Sequence, residues 1–111
     1  TAYFANKSFI EENPELIQNF VYAIYEGQEW VANHTAREIA EVLLPSFPDT
    51  DIDVLEIVVQ RYKDIDAWST TPYMTQESFE RLQDIIEGSG ELTKRVPYEE
   101  LINNDFCEFI D

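Results

Sequence analysis

The feature that most constrains this chain is a long amphipathic pattern from Asn13 to His34, NPELIQNFVYAIYEGQEWVANH. Asn13 offers a side-chain oxygen as an N-cap, and Pro14 suits the first helical position, where its missing N–H costs nothing. Apolar residues then recur at helical spacing: Leu16, Phe20, Ile24 and Val31. The apolar stripe is broad enough to contact two or three neighbouring helices. The sequence therefore predicts a central core helix on which the rest of the chain packs.

Other segments carry weaker helical signals. Thr35 and Glu38 have the spacing of a capping box at the start of a predicted helix, residues 36–44. Thr75 is the predicted N-cap of a later helix, residues 76–87. The predicted helices cover residues 6–12, 36–44, 51–65, 76–87 and 98–102. The fold class is thus mainly α, a compact bundle of five or six helices around the central one. We expect the core to contain Leu16, Phe20, Ile24, Val31, Leu43, Leu55, Val59, Phe79 and Leu82.

The segment Thr1–Ala5, TAYFA, is dense in β-forming residues and predicts one short N-terminal strand. A single strand cannot pair its own backbone groups, so it needs a partner from another chain or from further sequence. We therefore expect the chain to be a fragment. We also expect a weak homodimer in which two Thr1–Ala5 segments pair, and which salt strengthens by screening charge.

Composition limits the classes of partner. The chain has 23 acidic and seven basic residues, which give a formal charge of −16 at pH 7. Such a charge repels phosphate backbones and anionic membranes, so the sequence argues against a nucleic-acid partner. No apolar run reaches the ~20 residues that a membrane span needs. The length predicts one domain over residues 1–111, and the start at Thr1 without a recognisable signal peptide favours a piece of a longer protein.

No combination of residues in the sequence predicts catalysis. His34 is the sole histidine and follows a helix, and Cys107 is the sole cysteine, without the neighbours that activate a nucleophile. The sequence contains no glycine-rich phosphate loop and no cysteine pair. We therefore predict a protein that is not an enzyme and that uses no cofactor.

A metal site is not predicted either. Asp49, Asp51 and Asp53 alternate as in a calcium loop, but Val54 and Gln60 stand where such a loop needs glycine and glutamate. Acidic residues at the start of a helix explain the three aspartates better.

One loop without periodicity, DAWSTTPYM at residues 66–74, contains the aromatic residues Trp68 and Tyr73. Loops carry binding residues more often than core elements do, which makes both residues candidates. The alternative is that these aromatic side chains anchor the loop to the core.

Four stretches, taken in their order and spacing, resemble one family. They are ENPELIQNFVYAIYEGQEWV, FPDTD, DAWSTTPYMTQESFERLQDIIEGSGEL and KRVPYEELINNDF. Together they resemble the C-terminal segment of solute-binding proteins of ABC importers. The branch is the sulfonate, nitrate and taurine type, together with its thiamine-pyrimidine-precursor relatives. The resemblance covers nearly all of this chain but only the C-terminal third of such a protein.

The resemblance implies a two-lobed, periplasmic-binding-protein-like (type II) α/β fold that closes on a small solute and delivers it to an ABC permease. It also implies an extracytoplasmic location, in the periplasm or lipid-anchored at the cell surface. Most ligand contacts would come from the missing lobe, so we expect no ligand binding by this piece alone. Within it, Trp68 and Tyr73 are the candidates to reach the cleft, by stacking or through a hydroxyl group. The charge of −16 gives no steering toward a sulfonate, so an uncharged or cationic ligand fits equally well.

A second hypothesis belongs to a different class. In it, the chain is a free-standing acidic helical interaction domain whose acidic face binds a basic partner. The predicted strand at Thr1–Ala5 favours the binding-protein hypothesis, because an autonomous helical domain has no need of it.

Overall fold

The computed structural model describes residues 2–110 and is mainly helical, as the sequence predicts. Within this range six α-helices are joined by two short 3₁₀ helices, in agreement with the predicted five or six. The α-helices are α1 (Lys7–Glu12), α2 (Pro14–Asn33), α3 (Ala36–Leu43), α4 (Ile52–Asp64), α5 (Gln76–Gly88) and α6 (Tyr98–Leu101), and the 3₁₀ helices are Leu44–Ser46 and Asp105–Cys107. The chain divides into two compact units, one up to Thr71 and one from Pro72 onward. The single domain over residues 1–111 and the two-lobed fold stay predictions.

The core of the first unit lies between α3 and α4. Its buried residues are Ala36, Ile39, Ala40, Leu55 and Val59. The two alanines lie four residues apart on one face of α3, so their small side chains let α4 approach closely. The predicted burial of Leu55 and Val59 is confirmed, and Leu43 is half-buried against the same core.

The start of α3 is fixed by the capping box that the sequence predicts. The backbone N–H of Glu38 donates to the Thr35 hydroxyl at 3.2 Å, and the backbone N–H of Thr35 donates to the Glu38 carboxylate at 2.8 Å. Arg37 then joins α3 to α4, with its guanidinium 2.7 Å from Asp53 and 3.1 Å from Glu56. Because these ion pairs are exposed, they contribute less than about 1 kcal/mol each, and the buried apolar contacts dominate.

The prediction that α2 is the central core helix is wrong. The helix forms as predicted, but none of its twenty residues, all of which the structure describes, is buried. Leu16 is 56% exposed and Phe20 is 44% exposed, while Ile24 and Val31 are half-buried. An amphipathic pattern indicates which face of a helix is apolar. It does not show whether this chain contains another element that covers the face.

The C-terminal end of α2 is tied to α4 by Lys63. Its ammonium group donates to the carbonyl oxygens of Val31 at 3.1 Å and His34 at 2.6 Å. A lysine at this position pairs carbonyl groups that the helix leaves free and complements the negative end of its dipole. The ring of Trp30 stacks on that of His34, with ring centroids 4.0 Å apart, and packs against the core. Lys63 is charged, but its long side chain reaches the carbonyl groups of Val31 and His34 and is half-buried.

The strand predicted for Thr1–Ala5 is not found. Residues 2–5 have no strand, and Thr1 lies outside the described residues. An extended segment without a neighbouring strand has no partner for its backbone N–H and C=O groups, so no ladder forms. The ring of Tyr3 instead packs edge-on against Phe20, with centroids 5.0 Å apart. The homodimer through this segment stays a prediction. It was based on a preformed strand, which residues 2–5 do not form.

Asn13 caps the helix before it and not the helix after it. Its side-chain N–H donates to the carbonyl oxygen of Phe9 in α1 at 3.0 Å. Throughout residues 2–110, no backbone N–H of α2 donates to its side chain, contrary to the predicted N-cap. The backbone N–H of Asn13 donates to the same Phe9 carbonyl oxygen at 3.0 Å, so the backbone and the side chain of this residue both close the C-terminal end of α1.

The second unit packs α5 against α6 and the C-terminal segment. Thr75 caps α5 as predicted, because its hydroxyl accepts from the backbone N–H of Ser78 at 3.1 Å. Phe79 and Cys107 are buried, which confirms Phe79 as a core residue. Leu82 is exposed, contrary to prediction, because a unit of some forty residues has too little surface to cover both sides of α5.

Gln83, which is also buried, fixes the segment that follows α5. Its amide donates to the Val96 carbonyl oxygen at 3.1 Å and accepts from the Val96 N–H at 2.8 Å. The side chain thus replaces the backbone of a neighbouring strand. Beside it, the guanidinium of Arg95 contacts the Asp84 carboxylate at 2.6 Å.

Candidate functional site

The candidate residues lie in the connection from α4 to α5, residues 65–75. The chain leaves α4 through Asp66, whose φ of +53° is a left-handed conformation uncommon for residues other than glycine. Ser69 forms the next turn, because its hydroxyl donates to the Thr71 carbonyl oxygen at 2.7 Å. The boundary between the two units follows Thr71, so Trp68 and Tyr73 belong to different units, each with its own neighbours.

Trp68, in the first unit, packs against α4 and remains 37% exposed. Its ring lies next to that of Tyr62, with ring centroids 5.4 Å apart and planes tilted by 30°. The contact holds the indole in place, while the exposed part of its surface can stack on a flat or apolar ligand group. Trp68 therefore anchors the loop to α4, and its role in ligand binding stays a prediction.

Tyr73, in the second unit, is 50% exposed and belongs to a polar cluster. Burial raises the pKa of the neighbouring Tyr98, and the Tyr73 hydroxyl group contributes to that rise. The Tyr98 hydroxyl donates to the Met74 carbonyl oxygen at 2.6 Å and accepts from the Asn104 amide at 2.7 Å. The Asn104 side chain also accepts from the Met74 N–H at 3.1 Å and donates to the Met74 carbonyl oxygen at 2.9 Å. We call Tyr73, Met74, Tyr98 and Asn104 the tyrosine cluster.

Tyr98 carries no charge at physiological pH. Desolvation raises the pKa of Tyr98 above its ordinary value of 10.0, so its hydroxyl keeps its proton. A neutral phenol that is hydrogen-bonded to the Met74 carbonyl group and the Asn104 amide offers a ligand aromatic contact but no charge. The cluster is therefore suited to binding and not to proton transfer near pH 7.

An open pocket of about 380 Å³ lies beside the cluster in the same unit, and Tyr98 belongs to both. Its lining residues are Gln76, Glu80, Gln83, Arg95, Val96, Pro97, Tyr98 and Glu99. The guanidinium of Arg95 is paired with Asp84 and, at 3.6 Å, with Glu87, so its charge is already neutralised. Glu80 and Glu99 therefore give the pocket an acidic character.

Catalytic groups are not assembled around these residues. Burial raises the pKa of the Cys107 thiol, which keeps it protonated and weakly nucleophilic. The ring of His34 has its Nδ1 atom 2.6 Å from the Trp30 carbonyl oxygen. Across residues 2–110, no three His, Cys, Asp or Glu side chains group as a metal site requires. That the protein is not an enzyme stays a prediction.

The aspartates that resembled a calcium loop lie at the start of α4. Asp51 occupies the N-cap position of that helix, and Asp53 lies in its first turn and pairs with Arg37. This is the arrangement expected for acids at the positive end of a helix dipole.

Sequence reasoning missed Tyr98, which it placed only within the predicted helix at residues 98–102, and it did not single out Asn104. Asn104 lies thirty positions beyond Met74, and its amide pairs with the Met74 backbone N–H and C=O, which any residue other than proline carries. A contact between a side chain and a generic backbone group leaves no pattern in a single sequence, so no signal could have revealed it.

Comparison with known proteins finds a related protein. This chain is 38% identical over 108 residues to a Bacillus subtilis (strain 168) protein named "Putative binding protein YtlA". The match covers 97% of this chain but 32% of the relative, so the chain spans about a third of the length of the protein it matches. No family model matches the chain, and no solved structure matches it.

The comparison supports the resemblance to binding proteins at a coarse level. The relative's name assigns it binding without naming a ligand, and it does not distinguish the sulfonate, nitrate and taurine branch from others. The location of the protein stays an expectation. No helix within residues 2–110 is long and apolar enough to cross a membrane.

Proposed function

We propose that this chain is the C-terminal part of an extracytoplasmic solute-binding component of an ABC importer. In this proposal the complete protein captures a small organic solute of the sulfonate, nitrate, taurine or pyrimidine-precursor type. It then delivers the solute to the permease, and Trp68 and Tyr73, each within its own unit, are the candidate residues to contact the solute.

The observation that carries the proposal is the match to a protein named for binding along 97% of this chain. Because the match extends over about a third of that protein, it is the relation expected of one portion of a larger binding protein. The exposed apolar residues of α2 fit this relation, since an amphipathic helix in a complete protein normally has its apolar face covered.

The isolated chain should not hold a ligand. Binding pockets bury most of a small ligand's surface, whereas Trp68 and Tyr73 are exposed and the pocket beside Tyr98 is open. A second wall is needed to remove the ligand from water. In the proposal that wall belongs to the part of the protein that this chain does not contain.

A chimera tests the proposal directly. The matched third of the Bacillus subtilis relative is replaced by residues 1–111, and the chimera, the unaltered relative and this chain alone are screened by thermal shift and calorimetry. The panel contains taurine, ethanesulfonate, nitrate and a 4-aminopyrimidine precursor of thiamine. We expect saturable binding of a panel member by the chimera and none by the chain alone.

Two results would contradict the proposal. One is saturable binding by this chain alone, which would mean that it carries a complete site. The other is a folded chimera that fails to bind a solute which the unaltered relative binds. A Trp68→Ala chimera then measures whether the indole contributes, and Phe4→Ala, at an aromatic residue that is 98% exposed and outside the candidate loop, is its control.

A free-standing interaction domain is the second candidate, and one observation favours it. The strand that was expected to distinguish the two hypotheses is absent from residues 2–5. The charge of −16 would then serve to attract a basic protein. Salt-sensitive binding of this chain alone to a basic protein, together with an inactive chimera, would favour this alternative.

A further inference from the structure

The backbone of Met74 is held by side chains at both its N–H and its C=O. The Asn104 side-chain oxygen accepts from the Met74 N–H at 3.1 Å. The Met74 carbonyl oxygen accepts from the Asn104 amide at 2.9 Å and from the Tyr98 hydroxyl at 2.6 Å, so both of its lone pairs are used. Asn104 lies thirty positions beyond Met74, and Tyr98 lies twenty-four beyond it. These bonds therefore fix the end of the loop to distant residues of the same unit.

The bonds to Met74 also restrain Tyr73, the residue before it. The Met74 N–H belongs to the planar peptide unit that joins Tyr73 to Met74, so its bond to Asn104 fixes the orientation of that plane. On the other side of Tyr73 stands Pro72, whose ring fixes its own φ. The backbone of Tyr73 is thus restrained from both directions, although the residue is 50% exposed.

Asn104 has no hydrogen-bond donor left for a ligand. An amide group has two N–H donors, and those of Asn104 are directed to the Met74 carbonyl oxygen and to the Tyr98 hydroxyl oxygen at 2.7 Å. The residue is also half-buried. An effect of Asn104 on solute binding would therefore pass through the backbone that it holds.

We infer that Asn104 is a positioning residue of the candidate site: it holds the peptide unit between Tyr73 and Met74, so that Tyr73 meets the solute in one fixed place. The inference rests on the proposed function, in which Tyr73 contacts the solute. A binding residue that is already ordered loses less conformational freedom when the ligand arrives. Asn104 thus raises the affinity without touching the ligand.

A double-mutant cycle in the chimera tests the inference. Calorimetry with taurine, ethanesulfonate, nitrate and a 4-aminopyrimidine precursor of thiamine identifies the panel member that binds, and that solute is the probe. Asn104→Ala should weaken its binding on the order of tenfold, because Tyr73 is no longer ordered beforehand. In a Tyr73→Ala background the same change should have no further effect, since the residue that Asn104 positions is gone.

A neighbouring asparagine supplies the matched control. Asn103 is exposed, and its side-chain oxygen accepts from the Asp105 N–H at 2.8 Å, so it does not hold the loop. Asn103→Ala should leave the affinity unchanged. If Asn104 only stabilised the fold, Asn104→Ala would weaken binding by the same factor with and without Tyr73.

The ordering of Tyr73 is measured without ligand on the full chain. Nitrogen-15 relaxation gives the order parameter of its backbone amide, which should lie near the ~0.85 of rigid backbone and fall below about 0.6 in Asn104→Ala. Tyr98→Phe keeps the ring but removes one donor to the Met74 carbonyl group, so it should lower the value less. This milder variant also decides the matter if Asn104→Ala does not fold, because an unchanged value for Tyr73 there would contradict the inference.

The outcomes separate the inference from the function on which it rests. Unchanged affinity in Asn104→Ala, equal losses with and without Tyr73, or an unchanged order parameter of Tyr73 each overturn the positioning role and leave the binding protein intact. A chimera that binds none of the four solutes removes the proposed function and the inference with it.

Discussion

Helices α2 and α3 differ in a way that neither length nor pattern explains. Helix α2 has twenty residues, a proline at its first turn and a broad apolar stripe, yet none of these residues, each of them within the described range, is buried. Helix α3 has eight residues and buries three of them, Ala36, Ile39 and Ala40. The longer and more clearly signalled helix is peripheral to the core of its unit.

The difference teaches that local signals determine whether a helix forms, whereas surface shape determines where it packs. Alanines at two positions on one face of α3 let the backbone of α4 come close, which increases the number of dispersion contacts. The bulky stripe of α2 meets the core only near Trp30 and Val31. Under the proposed function, the rest of that stripe is available to the part of the protein outside this chain.

The largest predicted effect contrasts Leu55 with Leu16. Leu55→Ala should destabilise the chain by about 2–5 kcal/mol, because it removes buried methyl groups and leaves a cavity in the core. The same change at Leu16, which is 56% exposed, should cost less than ~1 kcal/mol. Urea unfolding of both variants measures the contrast, and equal losses would restore α2 as a core helix.

A second contrast concerns two glutamines. Gln83→Leu should cost roughly 1–3 kcal/mol, because the N–H and C=O of Val96 lose their partners. The Oε1 atom of Gln28 in α2 is buried, and none of the described residues donates to it. Gln28→Leu should therefore be neutral or stabilising, within about 1 kcal/mol. Thermal unfolding of both variants tests this, and a destabilised Gln28→Leu would mean that this oxygen has an essential partner.

The smallest effect is a pH dependence at the start of α3. The hydrogen bond from the Thr35 backbone, and then that from its hydroxyl, lowers the pKa of Glu38 below its ordinary 4.5. A carboxyl whose pKa is lower in the folded state stabilises that state at pH values above its unfolded pKa. The contribution is lost as pH falls through the folded value.

Stability measured from pH 7 to pH 3 should reveal this loss. The loss should be smaller in Glu38→Gln, whose side chain does not titrate, than in the natural chain. Glu41→Gln, at an exposed carboxylate of the same helix, is the control. Identical pH profiles for the natural chain and Glu38→Gln would contradict the stabilising role of the capping box.

The sequence predicted the helices well and their arrangement poorly. Proline, threonine caps and apolar spacing act within a few residues, so α2, α3 and α5 begin close to where they were expected. Lys63 of α4 binds the end of α2, about thirty residues earlier in the chain. The spacing of apolar residues within one helix gives no information about such a contact between two helices. The strand predicted for Thr1–Ala5 is not found at residues 2–5 for a related reason, because β-forming residues make a strand only beside a partner.

The candidate site shows the same limit. Trp68 and Tyr73 could be selected because aromatic side chains in a loop are conspicuous in a sequence. Tyr98 and Asn104 could not, because their importance comes from contacts with the backbone of Met74.

Amide hydrogen exchange of the full chain tests the central contrast most directly. We predict that the amides around Leu55 and Val59 in α4 exchange slowest in the first unit. Those around Leu16 and Phe20 in α2 should exchange at least ~10-fold faster, since few buried contacts oppose local opening there. If α2 is instead protected as strongly as α4, then the core of the first unit is organised around its longest helix and not around the contact between α3 and α4.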